Sequence, residues 1–276
     1  MLWTRLLTFA VLLAAAGYAS PEAPRDIVRQ AVQTELTANR EDHSHWLYFE
    51  VDRRPSKTVK QWVAQARMAS LDRVVERNGQ TLAEYQQRQE MNSFIHDSRE
   101  QARQRKSGQR DEEQAAELVK ILPDAFVWSS AGEKGSSILL HFRPDPEFRP
   151  SNLEERVFAA MEGDMAMDRK QHRIVSLKGR LIRDVKIGYG LLGELKAGGT
   201  FHVERREISS HIWAITETHV HIQGHALIFK SISEEEDDVK THFEQIAETT
   251  SLEQAQAKLL RQNPDPARDQ ASHPSR

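Results

Sequence analysis

The sequence predicts an α+β protein built on a large antiparallel β-sheet. Three observations carry this. Between residues 125 and 232 apolar and polar residues alternate in short runs, the period of half-buried strands. The runs are separated by short turn-prone pieces (Gly132, Asp168-Arg169-Lys170, Gly198-Gly199, Gln223-Gly224), too short for the crossover that parallel neighbours require. Two other stretches, one near the start and one over residues 81–122, switch to helical spacing.

In chain order, Ile27, Val28, Ala31, Val32, Glu35 and Leu36 mark a short amphipathic helix. Residues 46–51, Trp-Leu-Tyr-Phe-Glu-Val, are aromatic and β-favouring and form the first strand. Residues 58–66 and 69–76 read as two more strands, the second closed by the turn dipeptide Asn78-Gly79. Thr81 with Glu84 forms a capping box that opens a charged helical stretch over residues 81–122. Its apolar stripe (Leu82, Tyr85, Met91, Phe94, Ile95) breaks at Ser107-Gly108, and a second stripe (Ala115, Leu118, Val119, Ile121, Leu122) ends before Pro123. Two helices joined by a polar hairpin fit this. Strands follow at 126–129, 137–142, 162–168, 173–181, 185–187, 200–206, 211–221 and 226–231. Ser151 and Glu154 form a second capping box, opening a short helix to Ala160 that lies across the sheet. After the acidic run 234–238, residues 239–260 read as a final polar helix.

The ends frame this domain. Arg5, the apolar stretch 6–16 and the small residues Gly17-Tyr18-Ala19 before Ser20-Pro21 have the order of a secretory signal cleaved after Ala19. The stretch is shorter than the roughly 20 residues of a spanning helix, so no stable transmembrane segment is expected after cleavage. Residues 20–260 are then read as one domain and 261–276, polar and rich in Pro, Asp, Gln, Ser and Arg, as a disordered tail. The chain has no cysteine, which excludes a lipidated N-terminal cysteine, disulfides, thiolate zinc sites and a cysteine nucleophile. The formal charge of −3 and the interspersed signs give no bulk attraction to nucleic acid or anionic lipid. Arg99, Arg103, Arg105, Lys106 and Arg110 are threaded with Asp97, Glu100, Asp111, Glu112 and Glu113, the pattern of a solvated helix and not of a nucleic-acid patch.

Catalytic signatures fail on context. Gly188-Tyr-Gly190-Leu-Leu-Gly193 matches the dinucleotide fingerprint by letter, but only four residues separate it from Gly198-Gly199 and another strand, leaving no helix for a pyrophosphate. It reads as a glycine-rich turn. His219 and His221 alternate on one strand and share a face, near His211 and His225, yet no tight spacing supplies further ligands, so no metal or cofactor is expected. Asp164 and Asp168, four residues apart on one strand, stand about 13 Å apart, too far for a glycosidase pair. No G-x-S-x-G elbow is present, and the expectation is a protein that is not an enzyme. What remains is a sheet rich in large apolar groups. Core packing accounts for many of them, but a strongly twisted sheet also leaves a concave apolar face. The candidates to line it are Trp128, Leu139, Phe142, Met165, Met167, Val175, Leu177, Trp213, Ile215 and Phe229, the methionines suiting an adaptable surface.

The segment 162–177, Glu-Gly-Asp-Met-Ala-Met-Asp-Arg-Lys-Gln-His-Arg-Ile-Val-Ser-Leu, resembles a hairpin of exported bacterial proteins related to the outer-membrane lipoprotein-sorting (LolA-like) superfamily. In that reading Asp168 begins the turn and Gly163 lets the strand bend. The run through Gly188, Gly190, Gly198, Gly199, Trp213 and Gly224 to Phe229 looks like the rest of the same meander, and the resemblance covers about residues 125–243. It implies a strongly curved antiparallel sheet, a half-barrel with helices packed on or across it, whose apolar cavity receives acyl chains. The charged helical insertion at 81–122 stands outside the simple carrier pattern. The expected function is therefore a non-catalytic, soluble periplasmic protein that binds a lipid or lipoprotein acyl chain. The alternative is a structural or interaction module that contacts another envelope protein through its charged helices. An open apolar cavity favours the first and a filled face the second; polar groups converging on a cleft with displaced pKa values favour an enzyme.

Overall fold

The computed structural model describes residues 23–187, 193–222, 224–226, 235–264 and 266. The signal segment 1–19, Gly188, Gly190, Phe229 and the tail from 267 onward lie outside the described residues.

The helices are α1 (Pro24–Glu41), α2 (Glu84–Ile95), α3 (Ser98–Ala125), α4 (Leu153–Phe158) and α5 (Leu252–Leu259). The strands are β1 (His45–Arg54), β2 (Lys57–Gln65), β3 (Ser70–Arg77), β4 (Gln80–Thr81), β5 (Phe126–Lys134), β6 (Ser137–Pro144), β7 (Met161–Asp168) and β8 (Ile174–Leu181). They continue with β9 (Val185–Ile187), β10 (Gly193–Leu195), β11 (Thr200–Ser209), β12 (Ile212–His221), β13 (Gly224–Ala226) and β14 (Glu235–Ile246). The protein is thus α+β on a large antiparallel sheet. Eleven strands pair in the order β4-β3-β2-β1-β14-β12-β11-β8-β7-β6-β5, while β13, β10 and β9 form a small second sheet. The large sheet is open, with β4 and β5 as its edges. Two meanders build it: β1 to β4 run out to one edge, α2 and α3 carry the chain to the other edge at β5, and the strands from β5 run back until β14 pairs with β1.

Local rules explain most element ends. Pro24 occupies the first turn of α1, where its missing N–H is no loss. Asp97 caps α3 by accepting the N–H groups of Arg99 and Glu100, both at 3.0 Å. Asp168 accepts the N–H groups of Lys170 and Gln171, which builds the β7–β8 turn.

Several expectations are corrected. The helical break falls at His96-Asp97, and α3 runs on through Ser107 and Gly108 and includes Pro123 in its last turn. The cap of α2 is not the Thr81–Glu84 box: the Gln86 side chain accepts the Ala83 N–H instead. At α4 the cap is Asn152, which accepts the Glu155 N–H, while Glu155 takes the Ser151 hydroxyl and N–H. Residues 235–246, read as acidic linker and helix, are a strand at the middle of the sheet, and only 252–259 are helical.

Residues paired across neighbouring antiparallel strands share a face. By this rule Leu47, Phe49, Ala64, Trp62, Leu71 and Arg73 lie on one face. There α2 and α5 cover them, adding Met91, Leu252, Ala255 and Leu259 to a buried core. Arg73 is tied beneath the helices, donating to Gln87 of α2 and to the carbonyls of Leu259 and Gln262. Following the pairs through β14, β12 and β11 to β8 places Phe201, Leu177, Met165, Leu140, Phe142 and Trp128 on the opposite face. This face is covered by α1, the end of α3 and α4, with Val28, Ala31, Val32, Leu122, Ala125 and Val157 in one core. One sheet therefore carries two cores on opposite faces at its two ends.

Glu35 of α1 fastens this second core. It is buried, accepts the Ile174 N–H at 2.7 Å and pairs with Arg173 at 3.0 Å and Arg205 at 2.5 Å. No described helix is long and apolar enough to cross a membrane.

Candidate functional site

On the face covered by α1, α3 and α4, the packing leaves an apolar pocket of about 220 Å³. Its walls come from three distant parts of the chain: Leu118 of α3; Leu153, Glu154, Val157 and Phe158 of α4 with Met161 of β7; and Leu195 of β10 with Phe201 of β11. The local reasons are plain. Positions 153, 154, 157 and 158 fall on one side of a helix, and Phe201 shares its sheet face with Val220, its partner on β12. Gly179 lies opposite Phe201, where a Cβ would stand 2.7 Å from the phenyl ring, so the ring occupies the space that a side chain at 179 would take. The pocket is smaller than the roughly 300–1,000 Å³ of sites that enclose drug-sized molecules.

The residues nominated from the sequence sit elsewhere. Trp128, Phe142, Met165 and Met167 are buried in the core itself, and Leu177 packs against it. Trp128 also donates its indole N–H to the Leu122 carbonyl. Leu139 alternates with buried Leu140 and so belongs to the other face. Trp213 donates to the Gln171 side chain, Ile215 is 45% exposed and Val175 is half-buried. None of these lines the pocket. The signal that marks the lining, apolar positions 153, 157 and 158 on a short helix, was legible as a helix but not as a wall. A larger, shallow groove of about 560 Å³ runs along the outside of α2, bordered by Tyr85, Arg88, Gln89, Asn92, Ser93 and His96. It is an open surface furrow on one helix.

A second feature lies on the pocket's side of the sheet, over β14, β1, β2 and β3. Tyr48, Glu50, Asp72, Asp238 and Lys240 gather there, with Glu50 paired to Lys240 and Val63 to Asp72. The Lys240 ammonium bridges Asp238 at 2.6 Å and Glu50 at 3.5 Å, and Gln61 donates to Glu50 at 2.6 Å. Asp238 Oδ1 is buried without a partner among the described residues. Burial, reinforced by the Asp238 charge, raises the Glu50 carboxyl above its ordinary range. Burial, then repulsion from Glu50, pushes Asp72 up to about 7. Burial and the surrounding carboxylates Glu50, Asp72 and Asp238 raise the Tyr48 phenol, so it stays neutral. Burial alone would lower Lys240, but Asp238 and Glu50 outweigh it and hold the ammonium above its usual value. The Glu50 and Asp72 carboxyls are thus both biased toward their protonated forms. The lysine of this group is spent between two carboxylates and its tyrosine is held protonated, so neither stands as an activated nucleophile.

On the opposite face, His202, His219 and His221 lie together with Glu204, Glu217 and Asp237. His219 Nδ1 meets Asp237 at 2.7 Å, and this contact raises the imidazole's pKa. Among the described residues no group of three or more His, Asp or Glu side chains is arranged to hold a metal ion. No family model, no curated protein and no solved structure matches the chain.

Proposed function

We propose that this chain is a non-catalytic, exported binding protein that takes an apolar segment, a lipid or lipoprotein acyl chain, between α3, α4 and the sheet. The observation that carries this reading is the pocket, whose wall is apolar in every residue but Glu154. The half-barrel expected from the LolA-like resemblance belongs to this proposal; α3 links the two ends of the sheet, Gln104 exchanging hydrogen bonds with the Ser70 backbone of β3 and the helix ending directly before β5.

The test is native mass spectrometry, with lipid extraction, on protein isolated without detergent from the bacterial envelope. A co-purifying lipid is expected, absent from Val157→Trp or Leu195→Trp variants that retain the parent circular-dichroism spectrum, because either indole fills the pocket. A bare mass that stays bare after incubation with envelope lipids overturns the reading. That result favours a second one, supported by the α2 groove with its 69% exposed Tyr85: an interaction module that contacts another envelope protein.

A further inference from the structure

The wall of the pocket is apolar except at Glu154, and that exception has a direction. Glu154 is exposed in the first turn of α4, so its stem borders the pocket while its carboxylate reaches the water at the mouth. The capping contacts of that turn all belong to its neighbour: Ser151 and Asn152 bond Glu155. The Glu154 side chain makes no hydrogen bond or ion pair among the described residues. Of the cations nearest in the chain, Lys120 is paired with Glu117 at 2.5 Å and Lys196 with Glu194 and Asp184, while Arg183 donates to the neutral Ala159 carbonyl at the far end of α4 and keeps its charge there. Arg156 follows Glu154 by two positions, about 200° around the helix, and so faces away from the lining positions. A chain buried in the pocket therefore brings its head group out beside the carboxylate of Glu154, which no described cation pairs.

We infer that the pocket selects amphiphiles with a cationic head group over anionic ones of the same chain length, with Glu154 as the head-group partner. The inference rests on the pocket reading above and narrows it. Electrostatics at a wet rim is modest and screened by salt, so the preference is a matter of several-fold and is largest at low ionic strength. The whole chain carries a net charge of −3, which attracts cations everywhere, so a local effect must be separated from that field.

Three probes with one tail separate the terms: decyltrimethylammonium, decyl maltoside and decyl sulfate, each below its micelle concentration, titrated calorimetrically into the full chain. The expected result is that the ammonium binds about three- to tenfold tighter than the sulfate at low ionic strength, with the maltoside between them. Glu154→Gln is expected to bring all three within about twofold, while Glu248→Gln, an exposed carboxylate after β14, leaves the order unchanged. Equal affinities in the parent, all abolished by Val157→Trp, overturn the head-group inference and keep the pocket. A preference that survives Glu154→Gln also overturns it, assigning the effect to the chain's field. Failure of all three probes to bind overturns the pocket reading with it.

Discussion

Asp72 shows how far a single carboxyl departs from its ordinary behaviour here. Desolvation by its neighbours, then the Glu50 charge, push it from 3.8 up to about 7, an effect that solvent moderates because the Asp72 side chain is exposed on β3. The folded state therefore keeps a proton that the unfolded chain has released, and stability must fall as pH rises between these values. Below about pH 4 both states are protonated and the penalty is absent; above about pH 7 it is fully present. Glu50, shifted in the same direction, adds to the slope. Urea midpoints measured from about pH 4 to pH 8 are expected to decline in the parent, and Asp72→Asn to flatten the decline and stand above the parent at the alkaline end. A parent midpoint that rises across this window contradicts the assignment. His219 has the opposite sense, its contribution being present when protonated and lost as pH rises through its raised value.

At the level of elements, β7 and β8 are joined more closely than their hydrogen bonds alone require. Gly163 and Gly179 are directly paired, and a Cβ on Gly163 would lie 2.0 Å from the Lys178 carbonyl oxygen. The reason for glycine is thus close backbone approach across the pair. Gly163→Ala is expected to destabilise the protein by about 2 kcal/mol or more in chemical denaturation, by forcing β8 away from β7. The strand β14 shows where a local reading misleads. Val239, Phe243 and Ile246 repeat at helical spacing, and the run before them is acidic. In the fold the spacing arises from a bulge: the register with β1 shifts between Leu47 and Phe49, and His242 adopts φ 57°. Phe243 then stacks near Tyr48 on one face while Ile246 enters the core on the other.

Across the whole molecule, β14 is the joint. Among the described residues it is the one strand pairing β1–β4 with the strands from β12 to β5, and each side carries its own core on its own face. Deleting residues 235–264 is therefore expected to remove the cooperative unfolding transition, because β1 and β12 both become bare edges and the core beneath α5 opens. A truncated protein that keeps a single sharp calorimetric transition would show that the halves are independent. The helix α3 reinforces the joint from outside the sheet, reaching from the β2–β3 turn, where Arg105 donates to the Met68 carbonyl, to the start of β5.

By itself the sequence determined the class of this fold and most of its strands. Period-two alternation over residues 125–232 and connections too short for crossovers leave an antiparallel sheet as the arrangement that satisfies the backbone. It also placed α1, the first three strands, the Asp168 turn and the existence of two helices between Glu84 and Ala125. Alternation shows that a strand has two faces but not which one will be covered, so Trp128, Phe142 and Met165 read equally as core and as cavity wall. Only long-range pairing decided that. The pairing of β14 with both β1 and β12 put the two cores on opposite faces and drew Asp238 and Lys240 against Glu50. The pocket needed Leu118, Val157 and Phe201 to meet, and the forces that bring them together act between elements far apart in the chain, where no local propensity records them.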